Sequence, residues 1–328
     1  MSKTKAFVTG VTGQLGAYLA KFLLDKGIEV YGFVRRSSAN GNLVRLEELG
    51  ILDRINILNG DITDIGTLID AVRISEPDYV YNLSAFSHVK DSFAAPKLVA
   101  EVDYIGTINL LEALRMTGFE RFVKLAHMST SELFGDTKPP QNELSRFNPQ
   151  SPYACAKLAS YHLVKNYREA NRLFYCNAIT FNFESPLRNE DFVTKKICKQ
   201  MAEIKLGKRD RIYLGNLKAK RDWQSVHDVI DGLWLMLNHA IADDFVFASG
   251  QAKTVYDLYA YVCKKLELDP LKYLYSDDSL IRPNEVDYLL GDAEKARKHL
   301  KWTPKYNFER LIDEMVEYEV AKLRSNYV

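Results

Sequence analysis

Short apolar runs alternate with longer amphipathic stretches through the first half of the chain. Ala6-Phe-Val-Thr9 stops at the glycines of Gly10-Val-Thr-Gly13-Gln-Leu-Gly16. Leu15, Leu19, Phe22 and Leu23 then recur at helical spacing as far as Gly27, a residue suited to cap a helix C-terminus. Ile28–Val34, Ile55–Leu58, Asp78–Leu83 and Arg121–Ser129 read as further strands, with a helix over Leu98–Met116 before the last of them. A helix over Tyr153–Asn171 and a strand over Phe174–Phe181 follow, and beyond them the alternation weakens. There Phe192–Leu206 reads as a helix and Arg211–Leu214 as a short strand. Strands alternating with helices of this length predict an α/β fold with a doubly wound parallel sheet and ligands at the C-terminal ends of its strands.

The first strand, the glycine turn and the helix behind it form the context that a dinucleotide-binding fingerprint requires, so the sheet is expected to be Rossmann-like. Gly10 permits a tight turn, Gly13 lets the backbone approach a pyrophosphate, and Gly16 lets helix pack closely on strand. The helix N-terminus adds unpaired N–H groups for phosphate. Thr12, Gln14 and Leu15 belong to the same turn. About 20 residues past such glycines an NAD site places an acid on the ribose 2′-hydroxyl. Here Arg35-Arg36-Ser37-Ser38 follows the second strand, and guanidinium and hydroxyl groups suit a 2′-phosphate, which favours NADP. On sequence alone a solvated basic loop stays open as the alternative. Asp61 and Ile62 resemble the acid and apolar pair that flanks an adenine ring, and Leu83, Ser84, Ala85 and Ser87 are placed for a cofactor lying across the strand ends.

Tyr153 and Lys157 stand four apart in Ser151-Pro-Tyr-Ala-Cys-Ala-Lys157, so a helix starting after Pro152 presents both on one face. A lysine beside a phenol stabilises the phenolate and lowers its pKa, which makes tyrosine a base near neutral pH. Thr130 and Glu132 read as the end of the preceding strand, where alternation points both to one side. A hydroxyl, a carboxylate, a phenol and an ammonium are thereby expected at one sugar-sized site.

Composition narrows the classes. A net charge of +1 gives no reason to expect nucleic-acid or membrane binding, and no apolar run reaches transmembrane length. Cys155, Cys176, Cys198 and Cys263 and the six histidines show neither metal-ligand nor disulfide spacing, which fits a cytoplasmic protein without a metal site.

These residues, with Val11-Thr-Gly-Gln14, Ser129-Thr-Ser-Glu-Leu-Phe-Gly135, Asn166-Tyr-Arg-Glu-Ala170, Glu184-Ser-Pro186, Leu214-Gly-Asn216, Lys220-Arg-Asp-Trp223 and Arg282-Pro-Asn-Glu-Val-Asp287, cover nearly the whole chain in order. The chain resembles the extended short-chain dehydrogenases/reductases, and among them the GDP-mannose 4,6-dehydratase family. The resemblance implies that Tyr153, helped by Lys157 and Thr130, takes the proton of the sugar 4-hydroxyl while hydride leaves C4 for NADP. It implies that Glu132 removes the C5 proton and protonates the departing 6-hydroxyl, with hydride returned to C6. It also implies substrate contacts from Ser87, Glu132, Asn182, Glu184, Arg188, Lys196, Arg221, Arg282 and Glu285. Among these, Asn182, Arg221 and Arg282 would contact the pyrophosphate, and Glu285 the nucleotide ribose.

The expected division is residues 1–181 as mainly the NADP-binding part with the catalytic groups, and 182–328 as mainly the substrate part, with some chain crossing back to the sheet. A homo-oligomer, dimer or tetramer, is expected because the Arg35–Ser38 loop in such enzymes can reach a neighbouring cofactor. Phe86, Phe183, Leu187 and Gln224-Ser-Val226 depart from the family pattern, so the sugar stays open between mannose, a heptose and an N-acetylated hexose. A nucleotide-sugar epimerase or 4-reductase is the alternative enzyme, and a non-catalytic dinucleotide-binding protein the alternative of another class.

Overall fold

The strand Lys5–Thr9 (β1) is apolar on both faces and needs cover on both. The computed structural model describes residues 3–35 and 43–325 and shows how that cover is arranged. The other strands are β2 (Glu29–Arg35), β3 (Asn56–Gly60), β4 (Tyr79–Asn82), β5 (Lys124–Met128), β6 (Phe174–Thr180), β7 (Asn182–Glu184), β8 (Ile212–Leu214), β9 (Lys220–Ser225), β10 (Phe245–Phe247), β11 (Ala252–Thr254) and β12 (Leu274–Ser276). Among the described residues, seven strands form a parallel sheet in the order β10-β6-β5-β4-β1-β2-β3. The chain works outward from β1 to one edge, then returns to β4 on the other side. The crevice this leaves at the C-terminal strand ends is where such folds bind ligands.

Alternation along β1 sends Ala6 and Val8 into one core and Phe7 into the other. The first core is closed by Leu19 and Leu23 of the helix Gln14–Asp25 and by Ile230 and Leu233 of the helix Val226–Leu237. The second is closed by Leu68 and Val72 of Ile65–Ser75 and by Leu110 and Leu114 of Gly106–Thr117. Gly27, just past the first helix, has φ +79°, as its capping position requires.

Beyond residue 181 the chain builds smaller units. β7, β9 and β11 form a three-stranded sheet, and β8 pairs with β12. Ile212 and Leu214 of β8 and Trp223 of β9 join a separate core with Met201, Tyr259, Ile312 and Met315. β10 returns to the large sheet beside β6. Among the described residues no helix is long and apolar enough to cross a membrane.

Two elements near the crevice differ from the sequence reading. The expected helix over Leu98–Met116 runs from Pro96 to Thr117, with a wider π-helical segment over Ala100–Ile105. The strand expected to reach Ser129 and Glu132 ends at Met128, and Ser131–Leu133 is a single 3₁₀ turn capped by the Thr130 hydroxyl. Side-chain capping overrides β alternation here, because Thr130 Oγ1 accepts the Glu132 N–H at 3.2 Å.

Candidate active site

At the C-terminal ends of β1, β2, β4 and β5 a cleft of about 760 Å³ opens between the sheet and the segments after residue 181. Gly10, Thr12, Gly13, Gln14, Leu15 and Gly16 form one wall. Gly10 has φ +67°, and a Cβ there would stand 2.9 Å from the backbone of Leu83 and Ser84. A Cβ on Gly16 would lie 2.2 Å from the Gly10 carbonyl oxygen, so only glycine lets the helix start this close to the strand. Arg35, Asp61, Ile62, Leu83, Ser84, Ala85 and Ser87 line the same cleft. Arg36 and Ser37 lie outside the described residues. A backbone cradle with glycine at three of its positions, at a helix N-terminus and with a guanidinium lining the same cleft, fits a dinucleotide phosphate chain.

The helix Pro152–Asn171 begins with proline at its first position, and the Ser151 hydroxyl accepts the Ala154 N–H. That start aims Tyr153 and Lys157, one turn apart, into the cleft, where both are buried. Thr130 and Glu132 join them from the 3₁₀ turn rather than from a strand. The four residues grouped by the sequence therefore share one wall, although local geometry delivers two of them differently.

The charge balance around Tyr153 also differs from expectation. Burial pushes the phenol well above its ordinary pKa, and the Asp103 carboxylate adds to the rise. The Thr130 hydroxyl and the Arg188 charge act the other way. Lys157 is lowered by burial and supported by Asp103, so much of its charge is answered by that carboxylate. Asp103 is the group the sequence reading missed. It lies in the π-helical segment, where Oδ1 accepts the Phe86 N–H at 2.7 Å and Oδ2 has no hydrogen-bond partner. Its carbonyl accepts the Ser160 hydroxyl from the helix Pro152–Asn171 at 2.6 Å. Nothing in the local pattern around an aspartate inside a long helix marks it as facing a lysine 54 positions on.

Burial raises Asp103 from 3.8 to about 6, with Lys157 opposing. A raised carboxylate contributes its stability below the unfolded pKa and loses it as pH climbs through the folded value. Asp103→Asn does not titrate. Its stability relative to the parent protein should therefore rise by up to about 3 kcal/mol between roughly pH 4 and pH 7. Urea unfolding at both ends of that window measures the difference, and a flat difference would refute the burial argument.

Arg188 lines the cleft with its guanidinium 3.5 Å from the Phe192 ring centroid and 5.9 Å from that of Phe183. Its Nε is 3.2 Å from Glu184 Oε2. Burial lowers Arg188 and raises Glu184, and each opposes the other's shift. Glu184 is thus a buried support behind Arg188 rather than part of the cleft wall. Asn182 and Arg282 do line the cleft, and Arg282 Nη1 stands 3.6 Å from Glu132 Oε1. Lys196, Arg221 and Glu285 stand away from the wall. Lys196 Nζ donates to the Tyr213 carbonyl at 2.8 Å, and buried Arg221 pairs with Glu285 at 2.9 Å.

Two ties hold the glycine turn to the segment that carries Arg188. Gln14 Nε2 donates to the Phe183 carbonyl at 3.0 Å, and the Ser185 hydroxyl donates to Gln14 Oε1 at 2.6 Å. Arg45, also unforeseen, donates to the Thr12 and Leu187 carbonyls.

Of the departures, Phe86 and Phe183 line the cleft, and Phe86 packs against the cluster of Val99, Tyr153 and Ala156. Leu187 is buried outside it, Gln224 donates to the Phe247 carbonyl, and Ser225 caps the following helix. His127 is held neutral by burial and by the Lys157 charge, with Nδ1 3.0 Å from Asn82 Nδ2. Among the described residues no group of three or more His, Cys, Asp or Glu is placed to hold a metal.

Comparison with known proteins gives the family. The chain is 43% identical over 328 residues to GDP-mannose 4,6 dehydratase 2 of Arabidopsis thaliana, covering 97% of this chain and 87% of that one. It is 41% identical over 345 residues to the human GDP-mannose 4,6 dehydratase, covering 98% and 92%. The fold superposes with a TM-score of 0.86 on a dTDP-glucose 4,6-dehydratase from Streptomyces venezuelae, at 22% identity and covering 99% and 98% of the two chains. The family model for GDP-mannose 4,6 dehydratase matches residues 7–315, which takes in the glycine turn, the 3₁₀ turn, the helix Pro152–Asn171 and Arg282 together. With a carboxylate beside the Tyr–Lys pair and relatives above 40% identity along nearly the whole chain, this protein belongs to the GDP-mannose 4,6-dehydratase family.

Proposed function

We propose that this chain is an NADP-dependent GDP-sugar 4,6-dehydratase acting on GDP-mannose and releasing the 4-keto-6-deoxy sugar nucleotide. The observation that carries the reading is Glu132 on the same cleft wall as Thr130, Tyr153 and Lys157. An epimerase or 4-reductase needs the hydroxyl, phenol and ammonium alone, whereas elimination of water needs a further acid/base at C5 and C6.

Gly10–Gly16, Asp61, Ile62 and Leu83–Ser87 would hold the dinucleotide, with Arg35 at its 2′-phosphate. The chemistry a bound NADP supplies is a reversible hydride acceptor in a reaction with no net redox change. Tyr153 accepts the proton of the sugar 4-hydroxyl, and Thr130 keeps the phenol oriented. Arg188 brings positive charge to the forming phenolate, with Lys157 one helical turn further along the same face, against the pull of burial and Asp103. Once C4 is a ketone, the C5 hydrogen is acidic. Glu132 removes it and passes the proton to the departing 6-hydroxyl, so one carboxylate serves both steps. Asn182, Arg188 and Arg282 face the sugar diphosphate, and the region after residue 181 takes the nucleotide end. A homo-oligomer and a cytoplasmic location complete the reading.

Incubation with NADP and GDP-mannose, followed by mass spectrometry, is expected to show loss of one water without net cofactor reduction. A change of sugar configuration with no water lost would favour the epimerase instead. If GDP-mannose is inert while another GDP-sugar loses water, the reaction class stands and the Phe86 and Phe183 rings account for the changed sugar. Arg35→Ala is expected to weaken NADP by about tenfold and NAD little, as loss of a charge-assisted phosphate contact predicts. Equal weakening of both by titration would remove the 2′-phosphate assignment.

A further inference from the structure

The side chain that does the elimination has its own support. Glu132 is anchored through its backbone by the Thr130 hydroxyl, but its carboxylate lies beyond the reach of that bond. Among the described residues, Arg282 is the cation within ion-pairing distance of it, Nη1 to Oε1 at 3.6 Å, with the Glu132 side chain 11% exposed. Arg282 follows the 3₁₀ turn Asp278–Leu280, far from Glu132 in sequence, and lines the same cleft. Its backbone N–H points at Glu285 Oε2 at 3.4 Å, and Glu285 Oε1 accepts from buried Arg221 at 2.9 Å. Charge thus alternates along Glu132, Arg282, Glu285 and Arg221, and the buried Arg221 charge also acts on Glu132 directly, without an ion pair between them. The chain of contacts runs from the carboxylate at the reacting carbons to a buried arginine of the nucleotide side.

We propose that Arg282 is a positioning residue for Glu132, holding the acid/base carboxylate toward C5 and C6 as well as facing the diphosphate. The inference rests on the dehydratase reading and adds to it a physical link between the two ends of the substrate. A glutamate side chain has several staggered rotamers, and without a partner its carboxylate spreads over them. Proton transfer depends on the fraction in the reactive geometry, so losing the partner slows elimination even when substrate is bound. Binding and elimination are separable in kinetics because a residue used only for binding changes KM alone.

Arg282 is partly exposed in a short connection, so Arg282→Met leaves the core intact. At saturating GDP-sugar we expect C4 oxidation, followed as transient reduced-nicotinamide absorbance, to persist, while water loss and deuterium uptake at C5 fall about tenfold or more. Arg282→Lys keeps the charge and should recover part of the loss. In a Glu132→Gln background Arg282→Met should cause no further fall in elimination, since the group it positions is gone. A raised KM with unchanged kcat would overturn the proposal, leaving Arg282 as a diphosphate contact. So would an equal fall in oxidation and elimination, or full additivity of the two substitutions. Parent protein that loses no water from any GDP-sugar tested would overturn the dehydratase reading itself, an outcome distinct from these.

Discussion

Tyr153→Phe is expected to lose dehydration by about 10³-fold or more, the range removed with a general base in direct contact with substrate. The substitution deletes one oxygen from a ring that packs with Val99, Ala156 and Phe86, so the protein should stay folded with nearly the same melting temperature. Burial and Asp103 both disfavour the phenolate, so the surroundings resist loss of the phenol proton and strengthen the pull of a formed phenolate on the substrate proton. Phenylalanine cannot take the proton at all. The check is the absence of reduced-nicotinamide absorbance on mixing with GDP-mannose, because the block falls before C4 is oxidised. Substantial oxidation in a folded Tyr153→Phe protein would remove Tyr153 from the mechanism.

Glu132→Gln should fail later. The amide matches the carboxylate in shape and preserves the 3₁₀ turn, whose cap is the Thr130 hydroxyl bonded to the residue 132 backbone. C4 oxidation should proceed, while elimination falls by about 10²-fold or more because glutamine neither accepts the C5 proton nor returns one to the 6-hydroxyl. Reduced cofactor and keto sugar should then accumulate together, with little deuterium entering C5 in heavy water. An enzyme that only oxidises or epimerises at C4 would be indifferent to this change. Full dehydratase activity in Glu132→Gln would sink the assignment. The two variants divide the reaction between them, one stopping before the ketone and the other after it.

Much of this was legible in the chain because the signals are local. Repeats of about two and about 3.6 residues place apolar side chains on one face regardless of what they later meet, so the alternating strands and helices and the parallel sheet could be read directly. The glycine spacing at residues 10, 13 and 16 is a backbone constraint, and the structure shows why, with no room for a Cβ at Gly16. Tyr153 and Lys157 share a face through helix geometry alone, with Pro152 and the Ser151 cap defining where the helix starts.

The rest is set by groups distant in sequence, and no periodicity encodes them. Glu132 reaches the cleft because a threonine cap turns the chain into a 3₁₀ turn, a competition between side-chain and ladder hydrogen bonds that alternation does not register. Asp103 faces Lys157 only because a π-helical segment and the helix Pro152–Asn171 pack together. Gln14 meets Phe183 across 169 positions and Arg45 meets Leu187 across 142, which ties the glycine turn to the segment after residue 181. Arg282 and Glu132 are brought together in the same way. The sequence by itself determined which elements form and which residue types carry the chemistry, because those follow from short-range sterics and hydrophobic periodicity. Only the tertiary structure decided which charges face one another, because that depends on how separate elements dock and on the burial that docking imposes.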